Sequence, residues 1–328
     1  MNRKNAARYL RKVHQEWLES ITDKEVQKLV QMNSVITGGA IASLLLNEKV
    51  HDIDIYFTNF ETTKTVTEYY IKKFIETNDV NHTPKLSFPD LEAKRVKIIV
   101  KSVGFITEEG DEGYQYFEAV DDEYGEAYID DRVQCEDNEV INEQNVVKEI
   151  ISNADEVDSE GLEDDEEPKA KFRPVFMTSN AITLSNGIQL VVRFYGTADQ
   201  IHENYDFTHC TNYWESINHK LTLRPEAIEA LLARELRYQG SKYPLCSVIR
   251  TRKFLRRGWH INAGQYLKMC FQISELDLKD IEVLEDQLTG VDTAYFRQII
   301  ERLQKKQAED PNFTLDSAYL VSLIDKIF

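Results

Sequence analysis

The chain has 328 residues, 42% hydrophobic and 10% aromatic, which is enough apolar material for one large or two modest buried cores and excludes a disordered protein. No stretch approaches the roughly eighteen consecutive apolar residues of a membrane span, and the charged, periodic N-terminus lacks the apolar core of a secretory signal. The net charge of -18 argues against a polyanionic partner until its location is read: residues 107–167 hold 25 Asp/Glu against two basic residues, leaving the rest of the chain with 37 basic and 32 acidic residues, a net of +5.

In chain order, residues 3–31 place Ala7, Leu10, Val13, Trp17, Ile21, Val26, Leu29 and Val30 at helical spacing and predict one or two helices, the second capped by Thr22 or Asp23. A β-branched run, Val35-Ile36-Thr37, then meets the pair Gly38-Gly39, followed by an apolar helix over Ile41 to Leu46. After a polar turn, Asp52-Ile53-Asp54-Ile55-Tyr56-Phe57 alternates strictly, which predicts a strand with Asp52, Asp54 and Tyr56 on one face and the apolar residues on the other. Two carboxylates at positions i and i+2 lie roughly 6.5–7 Å apart at Cα. They can converge on one divalent ion, which is also the natural reason to tolerate their repulsion.

A helix is expected over 61–77, a loop over 79–94 and a strand over Arg95 to Val103. The acidic segment carries a possible helix near 140–152, with solvated flanks, and ends at Pro168. Two strands, Phe176 to Leu184 and Ile188 to Tyr195, are joined by Ser185-Asn186-Gly187, where Asn-Gly signals a tight hairpin. Ala198 to Asn204 predicts a helical turn, and Asp206 is placed on a strand continuing through Phe207 to Cys210. From Leu223 the pattern is helical, opening at Arg224-Pro225 and running to about Tyr238, then 245–257, 262–273, 279–288, 292–307 and 314–326. Residues 236–274 contain eight Lys/Arg and no Asp or Glu.

The stretch Thr37-Gly38-Gly39, twelve residues, then Asp52-Ile53-Asp54-Ile55 resembles the signature of the polymerase-β-like nucleotidyltransferase superfamily. The wider wording, from GGAIASLL through DFTHC to the basic C-terminal half, resembles phage-encoded proteins labelled nucleotidyltransferases. The family pattern asks for a third carboxylate on a later strand, and Tyr205-Asp206-Phe207 matches it, with Glu203 or Asp199 as fallbacks. The resemblance implies an α+β fold: a small mixed sheet with flanking helices, followed by an all-helical C-terminal domain. The expected division is N-terminal helices over 1–33, a catalytic domain over 34–222 with the acidic insertion at about 107–170, and a basic helical domain over 223–328.

The activity implied is transfer of a nucleoside monophosphate from an NTP to a hydroxyl, with release of pyrophosphate. Asp52, Asp54 and Asp206 would be the catalytic residues and the ligands of two Mg²⁺ ions, with Mn²⁺ as the alternative. Gly38 and Gly39 would admit backbone N–H groups to the phosphates, helped by the helix N-terminus. Ser43, one turn in, fits either a phosphate hydrogen bond or helix packing. Lys253, Arg256 and Arg257, helical neighbours, are the candidate phosphate contacts, and Tyr243, Phe254 and Trp259 offer rings for base stacking or for a core. His51 and His209 border the acidic positions, and a satisfied structural histidine is the simpler account of each.

The basic helices favour the 3′ end of an RNA as acceptor. No arginine-rich template motif of the CCA-adding kind is found. The alternatives are a protein-modifying nucleotidyltransferase, a protein of this fold that binds without turnover, and a host-takeover component using the same chemistry. The acidic insertion has three roles open to it: solubilising surface, contact for a protein partner, or shield for the basic groove. Cys135, Cys210, Cys246 and Cys270 are scattered without CxxC spacing and read as reduced thiols, so a cytoplasmic location is expected, that of a bacterial host if the chain is phage-encoded.

Overall fold

A computed structural model of the protein describes residues 2–77, 84–88, 95–99, 171–178, 180–288, 294–310 and 313–326. The acidic segment, the helix expected near 140–152 and the end of the strand expected after Arg95 lie outside these residues.

The chain is mixed α+β. Helices α1 (Arg3–Ser20) and α2 (Lys24–Asn33) come first, with Asp23 capping α2 by accepting from the Glu25 and Val26 amides. Next come β1 (Ser34–Thr37), α3 (Gly39–Leu46), β2 (Ile53–Phe57) and α4 (Phe60–Thr77). Strands β3 (Lys85–Ser87) and β4 (Lys97–Ile99) pair with each other, so part of the expected loop over 79–94 is strand. Then follow β5 (Pro174–Met177), β6 (Ala181–Leu184), β7 (Ile188–Tyr195), α5 (Ala198–His202), a single 3-10 turn (Thr208–Cys210), β8 (Tyr213–Glu215) and β9 (Lys220–Thr222). Six helices follow among the described residues: α6 (Pro225–Ala233), α7 (Pro244–Arg256), α8 (Ala263–Ser274), α9 (Ile281–Leu288), α10 (Ala294–Glu309) and α11 (Ser317–Ile324).

The sheet is larger than the sequence led one to expect. It has seven strands in the order β5-β6-β7-β2-β1-β8-β9. Among the described residues only the central β2–β7 pair of this sheet is parallel. The stretch expected as one strand from Phe176 to Leu184 is itself a hairpin, because Thr178 turns the chain and its hydroxyl accepts from the Asn180 and Ala181 amides. The Asn186-Gly187 turn is where expected, with both residues at positive φ.

Strand β2 obeys its alternation. Ile53, Ile55 and Phe57 enter the main core with Leu10, Trp17, Val66, Tyr70 and Trp214. Each such side chain, fully buried, contributes about 1.5–3 kcal/mol. Trp17 donates from Nε1 to the Tyr70 hydroxyl at 2.7 Å, so the α1–α4 packing leaves no buried indole donor unpaired there. Tyr56 turns to the opposite face and packs with Val35, Ala198 and Ile201. Both faces of the sheet are therefore covered, and Asp54 opens on the second one.

The C-terminal third is helical as expected, and it is tied to α3 and to the loop at Phe207 by a separate apolar cluster. Phe207, Leu236, Tyr238, Trp259 and Met269 are buried together, with Leu46 of α3 and Phe254 of α7 against them. Helices α9, α10 and α11 form a core of their own around Leu284, Ile300 and Leu303. Among the described residues no helix is long and apolar enough to cross a membrane.

Candidate active site

The site is built at the junction of β1 and α3. Gly38 has φ 100° and ψ -156°, a conformation open to glycine and strained for any other residue. A Cβ there would stand 3.1 Å from Asp54 Oδ2 and 3.5 Å from the Tyr205 hydroxyl. Gly38 thus lets the carboxylate of β2 lie directly against the turn into α3. Gly39 has a different role: a Cβ on it would meet nothing within 4 Å, and it is exposed at the start of α3. The first turn of α3 has no side-chain cap, so its amides are available to an anion.

The turn is pinned from behind. The Gly38 amide donates to the Cys210 carbonyl at 3.2 Å. The buried Thr37 hydroxyl donates to the Asn212 carbonyl at 2.9 Å and lies 2.7 Å from His202 Nε2. The single hydroxyl proton goes to a carbonyl, so His202 is the donor to Thr37 and is neutral with its hydrogen on Nε2. Burial holds His202 down to about 4, reinforced by Arg224 and partly offset by Asp199.

Asp206 arrives by a different route from the strand expected of it. It sits in a bend between α5 and the 3-10 turn. Only Phe207 pairs in β fashion, with Tyr238, and the Asp206 carbonyl accepts from the Gln239 amide. Strand β7, the parallel neighbour of β2, places Gln189 beside Asp54 and carries no Asp or Glu. The second carboxylate must therefore come from the loop. Its Oδ2 accepts from Arg250 Nη1 of α7 at 3.0 Å. The charges of Asp206 and Asp54 both push the half-buried Cys210 thiol upward after the larger effect of desolvation, while Arg250 and Arg257 oppose them. Asp54 also raises the buried hydroxyls of Tyr56 and Tyr205, again after burial.

The remaining predicted residues are distributed as follows. Asp52 is exposed just ahead of β2. Ser43 is buried within α3, which fits packing. Lys253 and Arg256 are exposed on α7. Arg257 instead binds Glu48 at 2.8 Å, and Glu48 also takes Arg234 at 2.7 Å. Glu48 follows α3, while Arg234 and Arg257 are the C-caps of α6 and α7, so three helix ends meet in one ion-pair cluster. Of the fallback acids, Glu203 is exposed and Asp199 is paired with Arg224. His51 is exposed, whereas His209 is buried with its ring 4.2 Å from Trp259 and 4.8 Å from Phe254. Those two aromatics are therefore core, and Tyr243 carries the Arg193 guanidinium 4.4 Å from its ring.

Sequence reasoning missed Arg250 and Glu48. The signal for Arg250 was the phase of α7: Arg250, Phe254 and Arg257, at i, i+4 and i+7, share the inward side, whereas the densest basic run points outward.

Hard carboxylate oxygens suit Mg²⁺ or Mn²⁺, and the Gly38 turn leaves space beside Asp54 that a methyl group would fill. Among the described residues, however, no group of three His, Cys, Asp or Glu is positioned to hold a metal ion. The donors fit such an ion in kind, and Asp206 would have to exchange Arg250 for it.

The fold and site define a mixed α+β protein with a glycine turn, a strand carboxylate against it and a loop carboxylate paired with Arg250. Residues 8–234 match the family model Gad2, described as Gabija anti-defense 2 family protein, and the chain belongs to that family. The matched stretch runs from α1 to the C-cap of α6 and includes Gly38, Asp54 and Asp206. A curated relative, "Gabija anti-defense 2" of Bacillus phage SPbetaL7, is 22% identical over 136 residues, which is 41% of this chain and 32% of the relative. The aligned part thus spans about a third of that relative's length. No solved structure matches.

Proposed function

We propose that this protein is a metal-dependent nucleotidyltransferase serving phage counter-defence, moving a nucleoside monophosphate from an NTP to a hydroxyl acceptor as pyrophosphate leaves. The observation that carries this is the approach of the Asp54 carboxylate to the Gly38 turn at the open N-terminus of α3, and the charges of Asp54 and Asp206 both act on the Cys210 thiol behind that turn. Mg²⁺ or Mn²⁺, held by Asp52, Asp54 and Asp206, would activate the attacking hydroxyl and offset phosphate charge. The first-turn amides of α3 hold the β- and γ-phosphates. Gly38 keeps that turn free of a side chain, and Asp54 and Asp206 orient the reacting groups from strand and loop.

The exposed Lys253 and Arg256 on α7 favour an RNA 3′ end as acceptor. The family's printed name directs the activity against Gabija defence and keeps a protein side chain as the competing acceptor. A second reading, binding without turnover, draws on the ion pair between Arg250 and Asp206. The test is incubation with each α-labelled NTP and Mn²⁺, with total bacterial RNA or with extract from Gabija-bearing cells. Label on RNA or protein supports transfer and names the acceptor. NTP binding with no label anywhere moves the account to the binding protein.

A further inference from the structure

Arg250 belongs to no motif legible in the chain, yet its Nη1 is 3.0 Å from Asp206 Oδ2 at the centre of the site. Its charge lowers Tyr56 and Cys210, the same two groups that the charge of Asp54 raises. A largely buried carboxylate needs a counter-charge, and the guanidinium supplies one to Asp206. The backbone that carries it is fixed: Phe254, one turn on, packs on Phe207 and His209, and Arg257, two turns on, binds Glu48. The side chain itself is a third exposed, against 13% for Asp206. An anchored helix thus presents a long cationic arm to a carboxylate that a divalent ion also wants.

We propose that Arg250 is an exchangeable counter-ion: it holds Asp206 until a divalent cation takes that carboxylate, and then pairs with the triphosphate of the incoming nucleotide. The inference rests on the nucleotidyltransferase reading above. A guanidinium and a divalent cation cannot share one carboxylate without like-charge repulsion, and phosphate oxygens offer the guanidinium a bidentate partner in place of the one it leaves. Arg250 is accordingly a nucleotide-binding residue that couples α7 to nucleotide entry.

Two equilibria separate this from a structural ion pair. Binding of Mn²⁺ to the full chain is followed by the paramagnetic signal of the free ion, alone and with each NTP, for the wild type, Arg250→Gln and Arg250→Lys, with Asp54→Asn as control. The expected result is opposite shifts in Arg250→Gln: Mn²⁺ alone binds several-fold tighter, and Mn²⁺·NTP binds roughly tenfold weaker. If thermal melting shows that Arg250→Gln does not fold, Arg250→Lys carries the test. Its ammonium lacks the planar fork, so smaller shifts of the same two signs are expected, and their absence overturns the proposal. Unchanged binding in Arg250→Gln, or both affinities moving together, makes Arg250 structural and leaves the site reading standing. A wild type that binds no Mn²⁺·NTP by an Asp54-dependent route removes both.

Discussion

Gly38 and Asp54 are complementary in shape: a single methyl group on the glycine would lie 3.1 Å from the carboxylate oxygen, closer than ordinary van der Waals contact. The glycine is also held at positive φ, so two independent reasons exclude a side chain there. Gly38→Ala is expected to lower stability by about 1–3 kcal/mol, in the range of a strained backbone site, and to displace Asp54. Gly39→Ala meets open space and should melt within a degree or two of wild type while weakening nucleotide binding. Urea unfolding together with nucleotide titration of the two variants checks this. Equal stability losses would contradict the assignment of different roles to the two glycines.

Glu48 joins the ends of α3, α6 and α7 through Arg234 and Arg257. Removing it leaves two partly buried guanidiniums facing each other, so Glu48→Ala is expected to cost roughly 1–3 kcal/mol. Because α3 also supplies the open amides of the site, the same variant should weaken nucleotide binding. Chemical denaturation measures the first effect and equilibrium titration the second. A Glu48→Ala protein as stable as wild type would show the cluster to be a solvated surface pair.

Three buried histidines make the fold sensitive to acid. Burial holds His14, His202 and His209 each near 4, against about 6.5 in an unfolded chain. Below about 6.5 the unfolded state takes up protons that the folded state refuses, so stability is full above that pH and falls progressively toward 4. Each histidine contributes on the order of 3 kcal/mol to that loss. The urea midpoint should drop between pH 7 and pH 5, and His209→Phe, which keeps a ring against Trp259 and Phe254, should drop less steeply. Parallel slopes for the two proteins would refute the assignment.

The outward face of α7 makes a separate prediction. Lys253→Glu with Arg256→Glu should weaken binding of single-stranded RNA and reduce the slope of log affinity against log salt by at least about 1.4, at roughly 0.7 for each phosphate no longer neutralised. The fold should be unaffected, since both side chains are exposed. A nitrocellulose filter assay over a salt series reads it. An unchanged slope would remove the case for RNA as acceptor.

How far the sequence revealed this arrangement depended on the range of the forces involved. The alternation at 53–57 and the Asn186-Gly187 turn are local, and both took their expected form. The helices of the C-terminal third likewise kept their phase to within a few residues. The size of the sheet was hidden because Thr178 makes a turn with a hydroxyl where propensity favours continued strand. Asp206 was found by its flanking residues, but its bend is dictated by the pairing of Phe207 with Tyr238 and by the cluster beneath it, both of which join distant parts of the chain. Arg257 looked like a phosphate ligand because Glu48, its partner, is distant in sequence. Long-range pairing of charge leaves no periodic trace.

The most direct test of the central claim is transfer of label from an α-labelled NTP by wild type and by Asp54→Asn, each with melting recorded alongside. Asp54→Asn keeps the shape of the side chain and should melt as wild type does, while transfer falls by at least the 10–100-fold, roughly, that even outer partners of a metal cost when removed. Transfer retained in a folded Asp54→Asn protein would place the chemistry elsewhere and contradict the account.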